Sequence, residues 1–145
     1  MKTVADEHSD EATPVKGRLS IDDIRAPVNK DSWGFELLMN MSGCAKTIDS
    51  KAVIREYFKE LISEIKMKVL SPLVIERAPK DEGRGLSATQ MITTSTIVAH
   101  FDDAGDRAFI DIFSCKTFDR AVAEAVTKKH FKPKKFVSRF LYRDA

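Results

Sequence analysis

Four side chains in the second half of this 145-residue chain have the types and spacing for acyl and proton-transfer chemistry: Ser87, Ser95, His100 and Cys115. A serine hydroxyl becomes a nucleophile when a proton acceptor is within reach, and a histidine exchanges protons near neutral pH. Ser87 lies eight residues before Ser95, His100 five after it and Cys115 twenty after it. The simpler reading of Thr93-Thr94-Ser95-Thr96 is a run of good β-formers whose hydroxyls bond to water, and that of Cys115 is a small buried hydrophobe. Ser95 and His100 are also an odd number of residues apart. An unbroken strand would point them to opposite faces, so their meeting requires a bulge or a strand end near Ser95.

The elements that must carry these residues follow from periodicity. Gly34 to Met41, just after Trp33, reads as a strand closed by Ser42 and Gly43, with Cys44 beyond the turn. Val53, Ile54, Tyr57, Phe58, Leu61, Ile62, Ile65 and Val69 form one apolar stripe on a helix capped by Asp49 or Ser50. Leu73 to Arg77 is a short strand, and Ala78 to Gly85 is a loop by composition. Leu86 to Ile92, Thr94 to Phe101 and Arg107 to Ser114 read as an antiparallel meander, with Asp102 to Asp106 as its second turn. Thr117 can cap a second helix carrying Phe118, Val122, Ala125 and Val126 to about Lys129, and Phe136 to Tyr142 completes the pattern. The order β-α-β-β-β-α-β predicts an α+β, two-layer α/β sandwich with both helices on one face of a mainly antiparallel sheet.

Residues 1–30 show no sustained apolar period and read as a flexible polar tail ahead of a domain spanning 31–145. Leu19 to Ile24, with Ser20 as cap, has an apolar face large enough for a helical turn only if it docks elsewhere. With 43% hydrophobic residues and a net charge of +2, the chain supports one core and neither demands a nucleic acid nor suggests an acidic, disordered chain. No stretch is long and apolar enough for a membrane span or a secretory signal, so a cytoplasmic protein with free Cys44 and Cys115 is expected. Cys44 reads as a buried hydrophobe, and His8 and His130 read as solvated surface residues. No metal-ligand spacing stands out.

The segments Gly85-Leu86-Ser87-Ala88, Thr94-Ser95-Thr96-Ile97-Val98-Ala99-His100 and Asp111-Ile112-Phe113-Ser114-Cys115 together resemble the short prokaryotic S-adenosylmethionine decarboxylase proenzymes. That family carries Gly-Val-Ser-Gly, Glu-Ser-His-Ile-Ser-Ile-His and Asp-Val-Phe-Thr-Cys at the same spacings, and a first strand ending in Tyr-Gly-Cys. The resemblance implies self-cleavage between Thr94 and Ser95, with Ser95 becoming a pyruvoyl group that forms a Schiff base with the substrate amine. It gives Ser87 a role in stabilising the oxyanion of the acyl shift, His100 a role in proton exchange, and Cys115 that of proton donor. The implied substrate is S-adenosylmethionine, the product supplies the aminopropyl group for spermidine, and the processed protomers form a homodimer with packed sheets. Here Thr94 stands for the family's glutamate and Thr96 for its histidine, and the family's Trp-Pro-Glu run is missing after His100.

Two relatives of that reading and one rival remain open at this level. The substrate can be another amino acid, such as arginine or ornithine, or the chain can be an unprocessed homologue that serves as a binding or partner subunit. Lys128, Lys129, Lys132, Lys134, Lys135, Arg139 and Arg143 interleave with Phe131, Phe136, Phe140 and Tyr142 in a pattern seen in nucleic-acid binders. Such a charge run is more often a solvated face, and nucleic acid is not the expected partner.

Overall fold

A computed structural model gives the fold and describes residues 32–144; the 1–30 tail, with its Leu19 to Ile24 turn and His8, lies outside the described residues. The elements are β1 (Gly34–Ser42), a 3-10 turn (Lys46–Asp49), α1 (Lys51–Glu64), β2 (Val74–Arg77), β3 (Leu86–Ile92), β4 (Ser95–Asp102), β5 (Arg107–Ser114), α2 (Arg120–Phe131) and β6 (Lys135–Arg143). All strand pairs are antiparallel, in the order β2, β3, β4, β5, β1, β6. The α+β sandwich with two helices on one sheet face is therefore the architecture. Among the described residues, no helix is long and apolar enough to cross a membrane.

Period-two alternation sets the layers. On β3, Leu86, Ala88, Gln90 and Ile92 are buried while Ser87, Thr89 and Met91 are exposed. Leu37, Met39, Ile97, Ala99, Ile110 and Ile112 join that inner face, against Ile54, Phe58, Leu61 and Phe131 of the helices. Tyr57 and Thr127 tie the two helices together inside this core. Thr127 donates to the Ala123 carbonyl at 2.8 Å, so the 2.9 Å contact with Tyr57 is a bond donated by the phenol. Burial pushes the Tyr57 phenol well above its usual range, which keeps it neutral and a donor.

Both helix ends differ from the sequence expectation. The apolar stripe predicts a helix reaching Val69, but α1 stops at Glu64. Lys66 takes φ 59°, and the Met67 N–H reaches back to the Ile62 carbonyl while the Lys66 N–H bonds Ser63. This pair of reverse bonds ends a helix without the glycine that would have advertised it. Val69 instead bridges to Ile92 at the sheet edge. Of the two candidate caps for α1, Ser50 accepts from the Val53 N–H, whereas Asp49 pairs with Arg77 at 2.5 Å. The second helix is capped by Asp119 rather than Thr117, because the Asp119 carboxylate accepts from the Val122 N–H. Its register buries Ala123, Val126 and Thr127 and leaves Ala125 exposed.

Two outcomes test this packing. Lys66→Gly removes a left-handed strain at the end of α1 and raises stability by about 1 kcal/mol, read as a higher denaturation midpoint. Tyr57→Phe deletes the interhelical bond and lowers stability by about 1 kcal/mol, because Thr127 keeps its bond to Ala123. An unchanged midpoint in Tyr57→Phe would show that the bond contributes nothing net.

Candidate functional site

Ser95 opens β4 directly after the two-residue turn Thr93-Thr94, which links Ile92 to Ser95 as a cross-strand pair. Ser95 in turn pairs with Ser114, and Ser114 with Phe35, so the turn sits at the end of a continuous ladder row. To close the hairpin in two residues, Thr94 adopts φ 67°. A left-handed φ at the second central position is one that glycine or asparagine ordinarily fills. For a β-branched residue it is an outlier that costs about 1–3 kcal/mol. The Thr94 hydroxyl donates to the Thr93 carbonyl at 2.7 Å, and the Thr93 N–H and hydroxyl both donate to the Lys68 carbonyl, at 2.7 and 3.2 Å.

The Ser95 hydroxyl is enclosed and has no hydrogen-bond partner among the described residues. A buried hydroxyl without a bond forgoes about 1–3 kcal/mol of solvation, and such exceptions call for a reason. Its neighbour across the ladder does not supply one. Ser114 accepts from the Lys116 N–H at 2.9 Å and donates to the Lys116 carbonyl at 2.6 Å. Cys115 follows Ser114 directly, as a half-buried free thiol at the same end of the sheet.

Ser87 and His100 meet elsewhere. They are a cross-strand pair on the outer face, opposite the two helices, with Ser87 Oγ and His100 Nδ1 2.9 Å apart. The strand end at Ser95 is present, but the ladder through it is unbroken and the alternation persists. His100 thus lies five residues along β4 from Ser95, about 16 Å at strand rise, and on the opposite face. Of the three groups expected around Ser95, a single chain places only Cys115 at its end of the sheet.

The outer face also carries aromatic and carboxylate side chains. Phe113 and Glu36 lie across from Thr96 in one row, and Trp33 stacks on Phe113 with centroids 6.1 Å apart. Arg143 bonds Glu36 at 2.8 Å. Burial and the nearby Glu36 charge push the Asp111 carboxyl above its usual range, while His100 opposes them. A hollow of about 350 Å³ opens beside Asp111, Phe109 and Val137. Phe35 and Phe101, by contrast, belong to the core side. No signal in the sequence marks the strained turn, because Thr93-Thr94 reads as strand.

The remaining candidates fall into structural roles. Cys44 is buried, and its surroundings together with Asp106 push the thiol upward, away from the reactive thiolate. His130 is a correction: its side chain is 14% exposed, packed edge-on against Tyr57 and 2.6 Å from Glu60, because α2 lays it against α1. In the basic run, Lys129 pairs with Glu60 and Lys128 covers the Phe136 ring at 4.4 Å. Among the described residues, no cluster of three or more His, Cys, Asp or Glu is arranged to hold a metal ion.

By structure the chain is similar to the crystal structure of the adenosylmethionine decarboxylase from Aquifex aeolicus VF5, with a TM-score of 0.65 at 17% identity over 79% of this chain and 92% of that one. At that identity the likeness is one of fold. No curated protein matches by sequence. The S-adenosylmethionine decarboxylase family model matches residues 35–144, which takes in both helices, all six strands but for Gly34, and Ser87, Ser95, His100 and Cys115, and leaves Trp33 outside. On that match the chain belongs to the S-adenosylmethionine decarboxylase family.

Proposed function

We propose that the chain cleaves itself between Thr94 and Ser95 and that the processed protein decarboxylates S-adenosylmethionine. The observation that carries the reading is the enclosed, unbonded Ser95 hydroxyl next to a left-handed Thr94, in a chain of this family. That hydroxyl forms no bond that attack on the Thr94 carbonyl would have to break. Ser95 Oγ bonds to the Thr94 carbonyl carbon, the peptide C–N bond breaks, and the hydroxyl proton moves to the released amine. Loss of the Cα proton then expels Thr94 as a carboxylate, and water replaces the nitrogen, which leaves as ammonia. Residue 95 is left with a carbonyl, at the start of a new chain.

The residues fit a pyruvoyl group at position 95, since the orphaned hydroxyl is the atom that the conversion removes. That group supplies an electron sink for the pair released when carbon dioxide departs. Cys115, at the same end of the sheet, holds a thiol proton for the substrate carbon. Trp33 and Phe113 offer an aromatic platform, with Glu36 and Asp111 as carboxylates for a cationic sulfonium. Decarboxylation there yields the aminopropyl donor for spermidine synthesis.

His100 and Ser87 enter from a second copy. The outer face exposes Met91, Phe109 and Val137 and, among the described residues, carries no helix, so two sheets can pack there around a two-fold axis. With strands antiparallel across the interface, the Ser87–His100 end of one sheet covers the Ser95 and Cys115 end of the other. His100 then exchanges a proton at its Nε2, while Nδ1 stays bonded to Ser87. Scission releases residue 95 from the turn that fixed its direction.

Release of carbon dioxide from S-adenosylmethionine, arginine and ornithine tests the substrate. Turnover is expected with the sulfonium substrate alone, and turnover of arginine or ornithine would reassign the site. Cys115→Ala and His100→Ala are each expected to lower kcat by 100-fold or more, on the order of a general acid–base contribution. Co-expression of those two variants restores about a quarter of wild-type activity, because a mixed dimer holds one intact composite site. No recovery on mixing would place both groups in one chain's site.

A further inference from the structure

The turn that precedes the cleaved bond is held by more contacts than a hairpin needs. Its left-handed residue, Thr94 at φ 67°, carries a β-branched side chain where glycine would sit without strain. One flank is fixed by the Ile92, Ser95 and Ser114 ladder. The other is fixed by the segment after α1: Val69 bridges to Ile92, and Leu70 and Ser71 both donate to the Met91 carbonyl, at 3.0 and 3.3 Å. That segment presents the Lys68 carbonyl, which takes two bonds from Thr93. Thr93 cannot swing away to let Thr94 relax while both bonds hold.

We propose that this clamp makes Thr94 a loaded position that drives self-cleavage, with Thr93 as the positioning residue that keeps it loaded; the inference rests on the processing reading above. The acyl shift changes the path from the Thr94 carbonyl carbon to the Cα of residue 95. Before it, the path runs through nitrogen; after it, through Oγ and Cβ, one atom longer, with the hydroxyl proton now on the amine. Closure in two residues is no longer imposed, and Thr94 returns to a negative φ. The strain is present in the peptide and absent in the ester, so it favours the forward step.

The measurement is the initial rate at which the chain beginning at residue 95 appears, followed by intact mass on the full-length protein. Thermal midpoints of the same substitutions, made in a Ser95→Ala background that cannot cleave, are read in parallel. Thr94→Gly is expected to raise the midpoint and slow cleavage about tenfold, a pairing that loss of structure would not produce. Thr93→Val is expected to slow cleavage, while Thr93→Ser, which keeps the hydroxyl, stays near the wild-type rate. Thr94→Gly that is stabilised yet cleaves as fast as wild type would overturn the inference while leaving the processing reading intact. Thr93→Val at the wild-type rate would likewise remove Thr93 from its role. A wild-type chain that never cleaves would overturn the parent reading, and this one with it.

Discussion

An uninterrupted antiparallel ladder governs the rest of this molecule. From Phe35 through Ser114 and Ser95 to Ile92, each residue is locked opposite the next, and the chain must cross from β3 to β4 in two residues. That demand puts Thr94 in the left-handed region, turns the Ser95 side chain into an enclosed space without a partner, and sends His100 to the other face. A one-residue slip would exchange the two faces along all of β4, exposing Ile97 and Ala99. The inner row of buried Ile97, Ala99 and Phe101 therefore enforces the register that strains the turn.

The same constraint divides the chemistry in space. Within one sheet, Ser95 and Cys115 occupy one end and the Ser87–His100 pair the other. A strand is stiff over five residues, so no side-chain rotation closes a gap of about 16 Å. The outer face, which no helix among the described residues covers, carries Phe109, Val137 and the Trp33–Phe113 stack and is where a second copy closes it in the proposed assembly once scission has freed residue 95. On that account, the face opposite the helices takes the second copy and the substrate, while the uncut Ser95 hydroxyl lies on the helix-covered side, in the row of Ile97 and Ala99.

Much of this was legible in the sequence because burial writes itself into periodicity. The alternation of Leu86, Ala88, Gln90 and Ile92 against Ser87, Thr89 and Met91 defined β3, and the stripe through Ile54, Tyr57, Phe58, Leu61 and Ile62 defined α1. What escaped was conformation chosen by closure rather than by residue preference. Lys66 and Thr94 both take a positive φ that their side chains disfavour, so neither the early end of α1 nor the turn before Ser95 left a compositional mark. His130 was misread for a related reason: its neighbours in sequence are lysines, but its neighbours in space are Tyr57 and Glu60. The candidate site residues rest on type and spacing, whereas the separation of Ser95 and His100 onto two faces shows in the sequence only as the parity of a five-residue interval.

Self-cleavage at Thr94–Ser95 is the claim on which the functional account stands, and the denatured intact mass of purified protein tests it directly. The account predicts two species for the wild-type chain, the smaller beginning at residue 95 and reacting with a carbonyl reagent. It predicts one uncut 16.3 kDa species for Ser95→Ala. A wild-type chain that remains a single 16.3 kDa species after prolonged incubation would contradict it.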